Sequence, residues 1–331
     1  MSVAIAGMGW VTPLGAGLEE VWARICAGEV PQTKWLTNPE SGRAHPFFAT
    51  PPGAVAHLAR NPRLRRASVI SHLAVAAGLA ALEHAGVTVT PELVARTAIV
   101  FAISDGGVLY TRRFYEQIVS QGANAASPLL FPETVYNAPA SHLAALLGID
   151  GASYTLVGDA AIGMSALHFA AELLETSDVD QVIVVGAEEG DWALCEAYHT
   201  WHLARTPLAE GAAALVLRRE GQWQLQTHPG APFVRQQEAG AALASVLVEF
   251  AGAKADRVMA SANGTFVDRA EDAALRAHFP NAPVFSLKKH IGEAPGAGAL
   301  MQTVAAALTG RRTLVTVVGF NQQAGAALVF R

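Results

Sequence analysis

Residues Tyr154 to Leu167 read YTLVGDAAIGMSAL, a buried strand that turns straight into a helix. Such a corner presents a side chain beside free helix N–H groups, the setting in which a thiol or hydroxyl is activated for attack. The residue at its tip is Ala160, whose methyl group attacks nothing. Its neighbour Asp159 has the type that caps a helix start, with an oxygen for the free donors and a charge suited to the dipole. Ser165 lies inside the helix, and Cys195 belongs to a segment expected away from this corner. No Ser-His-Asp arrangement is anchored to a recognisable motif. His199 and His202 in YHTWHLA are spaced for one helical face, yet no carboxylate or thiol completes a metal set at a standard offset. His168 reads as a core or interface residue. The GMGWVTPLG stretch, Gly7 to Gly15, has Thr12 where a dinucleotide fingerprint needs its third glycine, so it is read as a tight turn stopped by Pro13. Neither a cofactor nor a metal is called for.

The elements that must carry these residues alternate between strand and helix, which defines an α/β protein. Apolar runs bounded by glycine mark strands at Val3 to Ala6, Thr97 to Ile103, Tyr154 to Val157, Gln181 to Val185, Ala212 to Leu217, Trp223 to Gln226, Arg257 to Ser261, Val284 to Ser286, Leu314 to Val318 and Ala326 to Phe330. Runs such as VIVV at Val182 to Val185 are apolar at every position, the mark of strands covered on both faces. Helices are expected at Leu18 to Ala27, Ala67 to Ala85, Arg112 to Ser120, Ala138 to Leu147, Ile162 to Thr176, Ala239 to Phe250, Ala270 to Ala277 and Ala297 to Leu308. Phe114, Phe131 and Tyr136 are read first as ordinary core, with pocket or interface lining as the alternative.

The chain has 331 residues, 51% of them hydrophobic and 15% charged, enough for a large core. Its net charge of −5 offers no general grip on a phosphate backbone, and Arg63, Arg65 and Arg66 read as a solvated loop. No nucleic acid partner is expected. With no leader pattern and no long unbroken apolar run, a cytoplasmic protein without a membrane partner is expected. Two cysteines, Cys26 and Cys195, build no disulfide framework.

From Gly151 to Ala160 the chain resembles the nucleophile segment of the β-ketoacyl-acyl carrier protein synthases, whose pattern is G-P-S-Y-T, three residues, then Ala-Cys. The pair Ala166 and Leu167 falls where the family has a similar pair. The opening GMGWVTPLGAGLEEVWARICAG, then QVIVVGAEE, EGAAALVL, SANGTFVDRAEDAAL, VFSLKKHIGEAPGAG and GFNQQAGAALVFR resemble further family segments in order. The resemblance implies a thiolase-type fold: two pseudo-duplicated βαβαβαββ halves in alternating α/β/α/β/α layers. It places an N-terminal half at 1–205 and a C-terminal half at 206–331, forming one compact unit.

It also implies a degenerate centre. Where the family has its cysteine this chain has Ala160; where it has two histidines, Asn263 and Glu293; its lysine is matched by Lys288, and Phe320 lies in the closing motif. An ionised Glu293 facing a developing negative charge would raise the barrier, because like charges ~4 Å apart repel by several kcal/mol at intermediate dielectric. Lys288 and Glu293 are expected to form an ion pair, while the Asn263 amide remains a weak oxyanion donor. Some relatives, the chain-length factors, lack the cysteine and pair with an active synthase in type II polyketide, polyene or fatty-acid-like assembly. The resemblance implies such a silent subunit, bound to an active ketosynthase or to itself, with acyl carrier protein as a further partner. The chain is short between Glu189 and Glu210 and between Arg219 and Arg257 relative to the family, which implies an acyl tunnel that is reduced or absent. Two other readings are an acyl transferase or hydrolase using Asp159, Asn263 or Glu293, and a homodimeric module binding a carrier protein or lipid-like ligand.

Overall fold

The computed structural model describes residues 1–320 and 323–331; Asn321 and Gln322, inside the closing motif, lie outside the described residues. Ten strands form the body of one long mixed sheet: β1 (Ser2–Thr12), β2 (Thr97–Ile103), β3 (Ser153–Val157), β4 (Gln181–Glu188), β5 (Gly211–Arg218), β6 (Trp223–Thr227), β7 (Arg257–Ala260), β8 (Val284–Ser286), β9 (Thr313–Val318) and β10 (Gln323–Phe330). They lie in the order β8-β7-β9-β10-β6-β1-β5-β4-β2-β3. Read from each end, this is one arrangement twice. β3-β2-β4-β5-β1 and β8-β7-β9-β10-β6 use their strands in the same sequence, and in each set the last strand, β5 or β10, runs antiparallel to its neighbours. The sets join where Ser2 to Ile5 pair antiparallel with Gln226 to Trp223.

The helices are α1 (Leu18–Cys26), α2 (Val69–His84), α3 (Val108–Gln121), α4 (Ala138–Leu147), α5 (Ile162–Thr176), α6 (Trp192–Thr200), α7 (Ala239–Val248), α8 (Phe266–His278) and α9 (Pro295–Leu308), with shorter turns at Pro91–Ala95 and Lys288–Ile291. α5 and α9 touch each other and strands of both sets, α2 and α4 cover the outside of the first set, and α7 and α8 cover the second. The result is the five-layer α/β/α/β/α stack that the sequence implied. The core is divided accordingly, with one large cluster around α5 and α9 and one under each outer layer.

Small residues permit the central contacts. A methyl group on Gly163 of α5 would stand 2.8 Å from the Ala299 methyl of α9, and one on Gly186 of β4 would stand 2.4 Å from the Gly296 carbonyl. Close packing of this kind explains the Ala- and Gly-rich composition. It also corrects the reading of Gly7 and Gly9. Both lie within β1, the turn coming only at Pro13, and added methyls would press on the α2 backbone at the Ala81 and Ala77 carbonyls.

Three short strands, Lys34–Thr37, Ala44–Phe48 and Leu208–Ala209, pair in a separate small sheet. α6 packs on it, and Phe47, Cys195, Tyr198 and Leu208 form a local cluster there. The aromatic residues of the middle segment are not core. Phe131 is 55% exposed and Tyr136 is 45% exposed, and no residue of α3 is fully buried. No helix among the described residues is long and apolar enough to cross a membrane.

Candidate functional site

The chemistry-bearing residues gather at the carboxyl ends of the parallel strands. Asp105 follows β2, Ala160 follows β3, Glu188 ends β4, Asn263 follows β7, Glu293 lies between β8 and α9, and Phe320 follows β9. A sheet presents loops and helix starts at this rim, so distant positions in the chain converge on it. The duplication pairs them: Ala160 and Glu293 occupy the same corner of the two repeats, as do Asp105 and Asn263.

Ala160 is buried, and the Asp159 carboxylate beside it accepts from the Ala161 N–H at 2.9 Å, the helix-start role its type suggested. Asp159 also presses on the backbone at Gly319, where a methyl would stand 2.1 Å from its Oδ2. That places the corner next to Phe320. Ser165 is committed to structure, donating to Gln323 Oε1 at 3.1 Å. His168 is bonded to the Thr227 hydroxyl at 3.1 Å, in keeping with a core role.

Lys288, Glu293 and Asn263 form one buried knot. The Lys288 Nζ donates to Glu293 Oε2 at 2.7 Å, and the Asn263 Nδ2 donates to the same oxygen at 3.2 Å. All three side chains are almost wholly enclosed. Asn263 is bound on every side: its other amide hydrogen goes to the Leu203 carbonyl at 3.1 Å, and its Oδ1 accepts from the Thr265 hydroxyl at 2.6 Å and N–H at 3.3 Å. The expected oxyanion donor is therefore absent, since both amide hydrogens are already spent.

Three members of the site were not singled out from sequence. Glu188, buried at the end of β4, accepts from the backbone N–H groups of Ser104 (2.6 Å), Gly296 (3.0 Å) and Asp105 (3.3 Å), tying the loop after β2 to the start of α9. Asp105 accepts from the Tyr198 hydroxyl at 3.2 Å. The Tyr198 ring in turn meets Phe320 edge to face at 5.5 Å. Burial and then the charge of Asp105 push Glu188 well above the carboxylate range. Burial, reinforced by Glu293, pushes Asp105 up to about 7. The only signal for these acids in sequence was their place at the ends of apolar strands.

A raised acid favours the folded state below its ordinary value and loses that contribution as pH climbs through the folded value. Asp105 moves from 3.8 to about 7, so its cost to folding grows over that window. Asp105→Asn keeps an acceptor for Tyr198 and removes the titration. Urea unfolding is expected to show the variant gaining stability relative to wild type between about pH 4 and about pH 7 and a level difference above that; a constant difference throughout would contradict the assignment.

Cys195 is a correction. It packs with Tyr198, Phe47 and Leu208 next to Phe320, alongside the site and not away from it. Burial pushes its thiol up to about 12, so it supplies no thiolate nucleophile. His199 and His202 line a cleft of about 410 Å³ with His45, Cys195, Tyr198 and Arg205. Among the described residues no trio of His, Cys, Asp or Glu is disposed to hold a metal.

Two five-stranded repeats around paired central helices, with the polar residues at the strand ends, define a thiolase-fold protein of the ketosynthase type. The sequence agrees: a family model described as Beta-ketoacyl synthase, N-terminal domain, matches residues 1–206, and the chain belongs to that family. The 3-oxoacyl-[acyl-carrier-protein] synthase 2 of Vibrio cholerae is 25% identical over 197 residues, 58% of this chain and 47% of that protein. The synthase 2 of Coxiella burnetii is 22% identical over 219 residues, 65% and 49% of the two chains. The chain thus spans about half the length of the curated relatives it matches. Among solved structures, the ishigamide ketosynthase/chain length factor superposes with a TM-score of 0.82 at 21% identity, covering 99% of both chains. The ketosynthase ApeO in complex with its chain length factor ApeC, from Xenorhabdus doucetiae, gives 0.78 at 17% identity over 99% and 98%.

Proposed function

We propose that this chain is a catalytically silent, chain-length-factor-like subunit that pairs with an active ketosynthase in type II polyketide, polyene or fatty-acid-like biosynthesis and helps to shape its acyl pocket. The observation that carries this reading is the centre itself. The corner that would present a nucleophile holds the Ala160 methyl, and the positions that would donate to a forming oxyanion hold a locked Asn263 and a carboxylate paired with Lys288. The reading is supported by the naming of two structural neighbours as ketosynthase and chain length factor proteins. A carrier protein partner rests on the neighbour described as a type II acyl-carrier protein in complex with its ketosynthase.

Surface features fit a dimer. β3 is a free edge of the sheet with Tyr154 and Val157 exposed, and the middle segment turns Tyr115, Val119, Leu129, Phe131 and Tyr136 outward. Apolar side chains beside an unpaired strand favour burial against a partner. The hydrolase alternative is weakened by the committed Asn263 amide and the inert Cys195. The test is co-expression with a cysteine-containing ketosynthase encoded beside this chain. A stable complex is expected, with condensation lost entirely when the partner's nucleophile is replaced. An acyl adduct or turnover on this chain alone would refute it, and a homodimer that ignores the synthase would favour a binding module.

A further inference from the structure

We propose that the cleft of about 410 Å³ beside the silent centre is a binding site for an organic phosphate, gripped by Arg205, His199 and His202. It opens where α6 ends against the strand Ala44–Phe48 and the segment leading to Leu208–Ala209. Among the described residues no Asp or Glu lines it, and none of the three gripping side chains makes a hydrogen bond or ion pair. Arg24, Arg43, Arg96 and Arg112, by contrast, are all paired with carboxylates. Three unspent sets of N–H donors, one of them on a permanent cation, suit a tetrahedral oxyanion.

The end of α6 singles out His202. The Leu203 N–H returns to the Tyr198 carbonyl at 3.0 Å and the His202 N–H to the His199 carbonyl at 3.3 Å, which leaves His202 at φ 54°, the left-handed position that helix ends usually give to glycine. It is the one non-glycine residue with positive φ among the described residues. A side chain carries a conformational cost there that glycine does not. The imidazole is thus held at the expense of stability, and strain of this kind gathers where ligands are clamped.

The walls decide the rest of the ligand. His45, bonded through Nε2 to Glu196 Oε2 at 3.0 Å, lays its ring beside that of His199 with centroids 5.6 Å apart and so positions it. Glu196 does not line the cleft, and its charge is met by Arg43. The Cys195 thiol in the wall, pushed up to about 12 by burial, stays neutral, so the cleft favours an anion over a metal ion. Pro46, Ala204, Pro207 and Leu208 make the remaining lining apolar, and the volume lies in the range of small-molecule sites, about 300–1,000 Å³, not of a bare ion. A phosphate monoester with an apolar body meets both demands. The site also shares a wall with the centre, since the Arg205 and Thr206 N–H groups donate to the Asn263 carbonyl at 2.9 and 3.1 Å.

Calorimetric titration of the full chain with n-hexyl phosphate, inorganic phosphate and hexanoate tests this. Hexyl phosphate is expected to saturate a single site at least about tenfold more tightly than either of the other two, because only the ester combines charge-assisted bonds with apolar burial. Arg205→Gln and His199→Gln are each expected to weaken it about tenfold or more, with the urea midpoint unchanged because both side chains are exposed. His202→Gly is the sharper variant. Relieved of the left-handed cost, it is expected to unfold at an equal or higher urea concentration than wild type while binding hexyl phosphate about tenfold less tightly. No saturation by about 10 mM hexyl phosphate overturns the proposal. So does equal affinity for hexanoate, or wild-type affinity in His202→Gly. The wild-type titrations decide the question even where a variant fails to fold, and they need no partner synthase.

Discussion

Lys288→Met is expected to lower the unfolding free energy by at least about 3 kcal/mol, the cost of removing one member of a buried ion pair. The lysine is the only cation hydrogen-bonded to Glu293 among the described residues, and the carboxylate is 1% exposed with one oxygen already unpartnered. Stripped of Nζ, it keeps only the Asn263 amide hydrogen and faces Asp105 across the same rim. The companion variant makes the assignment sharp. Lys288→Met with Glu293→Leu removes both charges, and apolar replacement of a buried pair is often neutral, so most of the lost stability should return. Denaturant midpoints for the two variants measure this. A single variant with an unchanged midpoint would mean the pair contributes nothing.

Ala160→Cys is expected to yield no carbon–carbon bond formation from malonyl thioester, with turnover at least about a thousandfold below that of a cysteine-containing relative. The thiol would gain the benefit of a helix start but would sit beside the Asp159 carboxylate, which opposes the thiolate. The larger obstacle is downstream. Loss of one oxyanion donor typically costs about 10²–10³ in rate, and here one donor position is bound to Leu203 and Glu293 while the other carries a carboxylate. An acyl label on the new cysteine would be compatible with this; a condensed product from Ala160→Cys alone would not. Adding Asn263→His and Glu293→His is the minimum change expected to restore measurable turnover.

Both arguments rest on residues whose positions were legible in sequence, and the reason is local. β4, β9 and α5 each lie within one uninterrupted apolar or helical run, so their type follows from nearby residues alone. Lys34–Thr37 and Ala44–Phe48 escaped notice because they are short, the second carries Pro46, and their partner strand comes from Leu208–Ala209 far along the chain. α6 was hidden for a similar reason. Its Cys195 and Tyr198 face a small satellite cluster and give no clean period. Asp105, Glu188 and Tyr198 meet only through the fold, from three different connections, and no spacing within the chain records that they touch. Cys195 was placed wrongly because the path of α6 back over the rim is a tertiary fact. Phe131 and Tyr136 were misjudged as core because residue type alone does not say whether an aromatic faces inward or toward a partner.

Joining the repeats along β1 and β6 leaves the long sheet with two open ends, β3 and β8. A molecule with two sticky ends is bivalent, and head-to-tail addition at both would string copies into an open filament instead of a closed pair. β8 has three residues against five in β3, so it offers far less ladder to an incoming strand. The second repeat therefore ends in the poorer edge, and edge-to-edge strand addition is favoured at β3.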